Sequence, residues 1–263
     1  MKKWMKITAI LAIAMLALGM MTACSKKEDA GYDLAKEGVL VVGITDFAPM
    51  DYQDANGAWI GFDADLATKF AESLGLKVEF VEIEWDDKIM ELNGKTIDCV
   101  WNGMTLTDEV KSSMETSNAY CNNAQVVIVP KDKADKYQTA DACKELKFAV
   151  ENGSAGKDVA EENKFNFVEV KDQATALMEV AAKTSDAAII DSLMAGAMVG
   201  EGTNYADLTY TAKLNSEEYG VGFRKGSVLA AKLNDFFKAA WADGSMQATA
   251  EKYGVEAALI EQK

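Results

Sequence analysis

Residues 102–111 (NGMTLTDEVK) have the composition of a loop that could hold a small anion. Thr107, followed by two acidic residues, is typical of a helix N-cap and its first turn. The N-terminus of a helix directs unpaired N–H groups and the positive end of the helix dipole at its surroundings. The segment therefore predicts a loop that presents donors to a ligand. It ends in Val110 and Lys111, so it contains one lysine and no arginine.

Side chains of the common catalytic kinds are scarce. The chain has no histidine, which is the most frequent general acid or base and a frequent metal ligand. It has no G-x-S-x-G or H-E-x-x-H motif, and its glycine-containing segments do not fit the spacing of nucleotide loops. Cys99, Cys121 and Cys143 match no zinc-binding spacing. We expect no catalytic residue, no cofactor and no metal, although paired carboxylates leave a secreted enzyme as an alternative.

Size and charge narrow the class of protein. With 263 residues, of which 49% are hydrophobic, the chain can bury a core large enough for two lobes. Its formal net charge of −15 repels phosphate, so we expect no nucleic-acid partner.

The N-terminal segment differs from the rest of the chain. A lysine-containing start precedes an apolar segment at residues 7–20, and Cys24 follows small and apolar residues. The apolar segment is shorter than the ~20 residues that a transmembrane anchor requires. The pattern resembles a bacterial lipoprotein signal, which predicts a signal peptide at residues 1–23, lipidation of Cys24 (by palmitate) and a lipidated tether at residues 24–37. We expect a lipid-anchored protein at the extracellular face of the bacterial cell membrane.

The rest of the chain alternates between strand and helix periods. Residues 39–44 (VLVVGI) are typical of a strand buried on both faces. Residues 61–75 follow as a helix, with Asp63 as its N-cap and Gly75 at its end. The alternation predicts an α/β fold with parallel sheets, two lobes, two extended crossings and a cleft between the lobes. Further strands are predicted at residues 77–83, 97–101, 147–150, 165–170, 186–190 and 219–223, and further helices at 85–94, 172–182 and 228–244. Residues 151–163 are predicted as a glycine-containing turn that enters a helix.

Several segments, in their order along the chain, resemble one family. They are GFDADLATKFAESLGLKVEF, NGKTIDCVWNGMTLTDEVK, SNAYCNNAQVVIV, SDAAIIDSLMAGAM and EEYGVGFRKGS. Together they resemble the extracellular solute-binding proteins of polar amino acid ABC importers, the glutamine-binding-protein-like family 3, over about residues 39–254. The resemblance implies a type II periplasmic-binding-protein fold that captures a small polar amino acid or related amine.

The same resemblance implies a domain organisation and partners. Lobe 1 would comprise residues 38–127 and 222–263, and lobe 2 residues 128–221, with hinge strands near residues 125–130 and 219–224. A monomer would close around its ligand and deliver it to an ABC permease with its ATPase. The alternative from another class is a dehydratase-like enzyme on the same fold.

Ligand contacts are implied from both lobes. Phe47 and Trp85 correspond to aromatic walls, the GMT loop to backbone and hydroxyl contacts, and the ENGSAG segment to a second loop. Asp191 corresponds to the carboxylate that holds the ligand's ammonium group. The expected ligand-binding residues are Asp46, Phe47, Trp85, Asn102, Gly103, Thr105, Val110, Glu151, Ser154 and Asp191.

One departure from the family pattern affects the ligand. Relatives generally have an arginine where Val110 stands, and its fork clamps the ligand's carboxylate. The single arginine, Arg224, lies outside the expected pocket. Loss of a charge-assisted pair costs about 1.5–3 kcal/mol, which is tenfold or more in affinity.

Two explanations for this departure remain open. The ligand is an amine or cation without a free carboxylate, held by Asp191 and by the two aromatic walls as a cation–π box. Alternatively, it is an amino acid whose carboxylate is held by the Thr105 loop, the helix N-terminus and Lys111.

Single residues also have alternative roles. Phe47 and Trp85 could be core aromatics. Asp191 could cap the helix that follows it. Glu151 could face solvent beside Lys157.

Overall fold

The computed structural model describes residues 31–263. The predicted signal peptide, Cys24 and the first part of the predicted tether lie outside these residues. Leu34–Lys263 form one compact unit, and the Ala35 N–H donates to Asp98 Oδ1 at 2.7 Å. The last residues of the predicted tether therefore belong to the folded body. In the part of the chain that is described, no helix is long and apolar enough to cross a membrane.

The secondary structure alternates as the apolar pattern predicts. The strands are β1 (Val39–Ile44), β2 (Tyr52–Gln53), β3 (Trp59–Ile60), β4 (Lys77–Glu82), β5 (Cys99–Thr105), β6 (Glu115–Thr116), β7 (Cys121–Asn123), β8 (Gln125–Pro130), β9 (Lys147–Glu151), β10 (Asn166–Val170), β11 (Ala187–Asp191), β12 (Leu208–Lys213) and β13 (Glu217–Phe223). The helices are α1 (Phe62–Ser73), α2 (Lys88–Asn93), α3 (Asp108–Ser113), α4 (Ala155–Glu162), α5 (Gln173–Ala182), α6 (Ser192–Met198), α7 (Leu229–Ala242) and α8 (Ser245–Tyr253).

Two sheets organise these elements. The first has the order β4-β1-β5-β13-β6, with β7 paired to β13, and the second has the order β10-β9-β11-β8-β12. In each sheet three strands run parallel, namely β4, β1 and β5 in the first and β10, β9 and β11 in the second. Strands β13, β8 and β12 add antiparallel pairs. The expected α/β fold is confirmed.

The chain changes sheet twice. It leaves the first sheet between β7 and β8, at Ala124, and returns between β12 and β13, at residues 214–216. Both crossings lie a few residues before the lobe boundaries predicted at residues 127–128 and 221–222. Those boundaries remain predictions.

Two local predictions were wrong. Helix α1 begins after Gly61, not at Asp63. The backbone of Gly61 lies so close to the Met50 carbonyl that a Cβ would be 2.0 Å from its oxygen, and the φ of 137° suits glycine. Residues 102–105, expected in a loop, continue strand β5 because Met104 and Thr105 pair with β13.

Candidate functional site

A narrow cleft, with a free interior volume of about 30 Å³, lies at the carboxyl ends of strands from both sheets. Strands β1 and β5 contribute from the first sheet, and β9 and β11 from the second. Among the predicted ligand-binding residues, those that line the cleft are Phe47, Trp85, Asn102, Gly103, Thr105, Val110, Glu151, Ser154 and Asp191. Asp46 is exposed and borders a different cavity with Tyr52 and Asp172.

The Asp191 carboxylate lies at the centre of a buried hydrogen-bond network. Its Oδ1 accepts from Tyr219 Oη at 2.8 Å and from Gln125 Nε2 at 2.9 Å. Asn123 Nδ2 also donates to Oδ1, and Gln173 Nε2 donates to Oδ2. Asp191 occupies the N-cap position of α6, but its side chain makes no capping bond. The capping alternative therefore does not describe this carboxylate, which turns into the cleft instead.

A second carboxylate lies behind Asp191. Glu217 Oε1 accepts from Asn123 Nδ2 at 2.7 Å, from Gln125 Nε2 at 2.8 Å and from the Thr105 hydroxyl at 2.9 Å. Burial, and then the negative charge of Glu217, raise the pKa of Asp191 to about 8. The Thr105 hydroxyl donates its one hydrogen to Glu217, so towards the cleft it can act only as an acceptor. An ammonium group suits such an acceptor.

The loop after β1 and the middle of β5 are held together by their own polar groups. The Asn102 side chain donates to Asp51 Oδ2 at 2.8 Å and accepts from the Thr45 N–H at 3.0 Å and the Thr45 hydroxyl at 2.8 Å. The Gly103 N–H donates to Asp63 Oδ2 at 2.7 Å. Asn102 and Gly103 thus shape the wall of the cleft, and their donors are already used.

The anion site expected at residues 102–111 is largely closed by the protein itself. Thr107 is the N-cap of α3 as predicted, and its side chain accepts from the Val110 N–H. The N–H groups of Leu106 and Thr107 donate to backbone carbonyls. Glu109 lines the cleft in the first turn of α3, so a negative charge already lies near this helix end. Lys111 is exposed and borders another cavity.

Two buried carboxyl groups support this wall from behind. Asp51 and Asp63 are fully buried, and each has one oxygen, Oδ1, without a hydrogen-bond partner. Burial raises the pKa of Asp63 from its ordinary value of 3.8 to about 7. Burial, and then the charge of Asp63, raise the pKa of Asp51 well above its ordinary value. A proton on this pair therefore stabilises the folded state.

Replacing Asp63 by asparagine (Asp63→Asn) is expected to make stability less dependent on pH. The folded carboxyl, with a pKa of about 7, binds more protons than the unfolded one between about pH 4 and pH 7. The free energy of unfolding therefore falls as the pH rises through this range, and this contribution is lost above it. The difference between urea midpoints at pH 5 and pH 8 should shrink in the variant, with exposed Asp108→Asn as the control. An unchanged difference would exclude Asp63 as the titrating group.

Glu151 and Gln173 form the second-sheet side of the cleft. Glu151 is only 3% exposed, so the alternative in which it faces solvent beside Lys157 does not hold. Its Oε1 has no hydrogen-bond partner. Burial, and then the charge of Asp191, raise its pKa well above the ordinary value. An unpaired buried acceptor on the wall of a cleft is suited to a donor on a ligand.

The aromatic walls lie as expected, and one carries an unexpected cation. Phe47 is 3% exposed and Trp85 8% exposed, and both line the cleft. The Lys88 ammonium lies 5.2 Å from the centroid of the Trp85 ring. Val110 packs in an apolar cluster with Trp85 and Met104, so the side chain at position 110 is uncharged and apolar. Arg224 lies elsewhere, paired with Asp98 at 2.8 Å.

Sequence reasoning missed Lys88, Gln173, Glu109 and Asp158, which all line the cleft. Lys88 follows two aspartates at the start of a helix. The sequence around a lysine in such a position does not indicate whether its side chain points into the cleft or into solvent. Within the described residues there is no cluster of three or more His, Cys, Asp or Glu suited to a metal, and Cys99, Cys121 and Cys143 are free and buried.

Comparisons with known proteins find relatives over most of the chain. Over 264 residues the chain is 31% identical to a "Probable histidine-binding protein" of Neisseria gonorrhoeae, covering 96% of each. A solved substrate-binding protein of an ABC uptake transporter from Streptococcus pneumoniae, with bound histidine, has a TM-score of 0.77 and 29% identity, covering 85% of this chain and 96% of that one. An ancestral amino acid-binding protein, a precursor of cyclohexadienyl dehydratase, has a TM-score of 0.75 and 33% identity, covering 82% of this chain and 95% of that one.

The family follows from the sheets, the cleft and the extent of these matches. The architecture is the expected type II periplasmic-binding-protein fold, with two α/β lobes joined by two crossings. Residues 40–256 match a single family over almost the whole described chain. The chain belongs to the bacterial extracellular solute-binding proteins, family 3.

Proposed function

We propose that this chain is the substrate-binding lipoprotein of an ABC importer, which captures a small polar amino acid or a related amine and delivers it to a permease. The observation that carries the proposal is the cleft between the two sheets, with carboxylates at its end and aromatic side chains on its wall. Asp191, which accepts from Gln173 alone at Oδ2 among the described residues, has an acceptor site left for an ammonium group. The Thr105 hydroxyl supplies a second acceptor.

The ligand acts by closing the two lobes. Lys88 Nζ donates to the Gly153 carbonyl at 2.9 Å, which links the two sides of the cleft. Lys171 and Glu82 form an ion pair between the same two sides. A Cβ on Gly153 would lie 2.6 Å from the Asp86 Cα, so the approach is close. A ligand that contacts both sides binds the closed state better and shifts the population towards it.

Membrane attachment and transport partners complete the proposal. Cys24 carries the lipid anchor at the extracellular face of the cell membrane, and the loaded monomer docks on a permease that works with an ATPase. Support for a transport role comes from the relatives, which include a transporter protein with bound histidine. We assign no catalytic step to the cleft, although a dehydratase precursor is a structural neighbour, because the chain has no histidine to serve as general acid or base.

A thermal-shift screen tests this function. The chain without residues 1–24, which retains the compact unit Leu34–Lys263, is heated with each of the twenty amino acids and with decarboxylated amines. A ligand present at 100 times its dissociation constant should stabilise the folded state by about 2.7 kcal/mol. At least one compound should raise the melting temperature by several degrees, with a dose dependence that calorimetry confirms. If none of them does so, the proposed function is wrong.

A further inference from the structure

Lys88 is a buried cation with unused hydrogen-bonding capacity. It is 5% exposed and lines the cleft. Its ammonium donates to the carbonyls of Trp85 at 3.2 Å and Gly153 at 2.9 Å, and an ammonium has three donors. In residues 31–263 no ion pair involves Lys88. The negative charges that act on it, from Glu109, Glu151, Asp86 and Asp158, are not in ion-pair contact, and a buried charge without a close counter-ion is unfavourable.

The neighbourhood of Lys88 can receive a carboxylate. Gly153, Ser154 and Ala155 line the cleft beside it, at the N-terminus of the eight-residue helix α4. Ser154 caps this helix by accepting from the Lys157 N–H, which leaves the N–H groups of Ala155 and Gly156 without a partner inside the helix. The nearby Glu151 Oε1, buried and without a partner, can accept from a cationic group on the same ligand.

The position of Lys88 also disfavours a ligand that is only a cation. Its ammonium already lies over the Trp85 ring, so one wall of a cation–π box is occupied by the protein. An amine without a carboxylate would bring a second positive charge beside the Lys88 ammonium, and the acidic groups of Glu109, Glu151 and Asp158 that now offset Lys88 would have to offset both. Val110 packs among apolar side chains, so position 110 supplies no cation to the cleft.

We propose that Lys88 binds the carboxylate of the ligand, in the role that an arginine at position 110 has in relatives, and that the ligand therefore has both a free carboxylate and an ammonium group. This inference rests on the proposed function. It keeps the amino acid explanation for Val110, but Lys88 and the start of α4 take the place of the Thr105 loop, the helix N-terminus and Lys111. The carboxylate lies between Lys88 and the start of α4, and the ammonium lies at Asp191.

Calorimetric titration with matched probes tests the role of Lys88. The probes are the twenty amino acids, together with histamine and agmatine, which are the decarboxylated forms of histidine and arginine, and the carboxamide of whichever amino acid binds best. Wild type should bind that amino acid at least tenfold more tightly than its carboxamide. Lys88→Met keeps an apolar stem but removes the charge. It should weaken the amino acid roughly ten- to hundredfold and reduce the preference over the carboxamide to less than threefold.

Two further variants separate charge recognition from a structural role. Lys88→Arg should retain the preference for the free carboxylate, and exposed Lys111→Met should bind as wild type does. If Lys88→Met fails to fold, wild type and Lys88→Arg still decide the matter through the carboxamide comparison. Wild type that binds amines or carboxamides as tightly as amino acids overturns the role of Lys88 but leaves the proposed function standing. Wild type that binds none of the probes contradicts both.

Discussion

Asp191→Asn is expected to weaken binding of an ammonium-bearing ligand more than any other single substitution in the cleft. Removing one partner of a buried ion pair costs about 3–5 kcal/mol, or roughly a hundred- to several thousandfold in affinity. The new NH2 group would also face existing donors, either Gln173 at the Oδ2 position or Asn123, Gln125 and Tyr219 at the Oδ1 position. The effect is measured as the dissociation constant by calorimetric titration with the best amino acid from the screen.

A matched control makes this result specific. Asp46→Asn changes the same kind of side chain on the exposed border of a different cavity, and it should alter the dissociation constant less than threefold. Urea denaturation of both variants checks that each is folded at the titration temperature. Equal losses in both variants, or wild-type affinity in Asp191→Asn, would remove Asp191 from the binding site.

Ligand binding is expected to release about one proton at pH 7. Burial and the charge of Glu217 hold the pKa of Asp191 at about 8 without ligand, so the carboxyl is mostly protonated at neutral pH. An ammonium beside it favours the ionised form, so binding lowers this pKa and expels the proton. The affinity for the ligand should therefore rise with pH up to about pH 8 and level off above that pH. Below about pH 8 it should change by up to tenfold per pH unit.

Calorimetry in two buffers measures the proton directly. The observed enthalpy at pH 7 should differ between phosphate and Tris by the difference in their ionisation enthalpies multiplied by the protons released. The neighbouring carboxyl of Glu151, whose pKa is also raised, can add to the number if the ligand pairs with it. A net uptake of protons, or identical enthalpies in both buffers, would mean that Asp191 does not ionise on binding.

If Lys88 binds the carboxylate of the ligand, as we propose, the cleft keeps its chemistry although position 110 carries no charge. A clamp needs a cation at a particular point in space, and the sequence position that supplies it is free to change. Val110 lies on α3 and Lys88 on α2, yet both side chains line one cleft. In our proposal, Lys88, 22 positions before Val110, supplies the cation that the family resemblance places at position 110.

The amino-acid sequence determined the class of fold and most of the cleft. Apolar periodicity depends only on near neighbours, so it located β1, the first part of β5 and helices α1 and α5 without tertiary information. Motif positions then located Phe47, Trp85, Thr105 and Asp191 at the cleft. These features follow from local pattern and order along the chain.

Only the tertiary structure decided which polar groups remain available to a ligand. The donors to Asp191 come from Asn123, Gln125 and Tyr219 as well as Gln173, and the Gly103 N–H is used by Asp63, 40 residues away. Such pairings depend on how separate elements pack, which no local pattern encodes. The same reason explains Lys88, because burial and a missing counter-ion are properties of a side chain's surroundings and not of its place in the sequence.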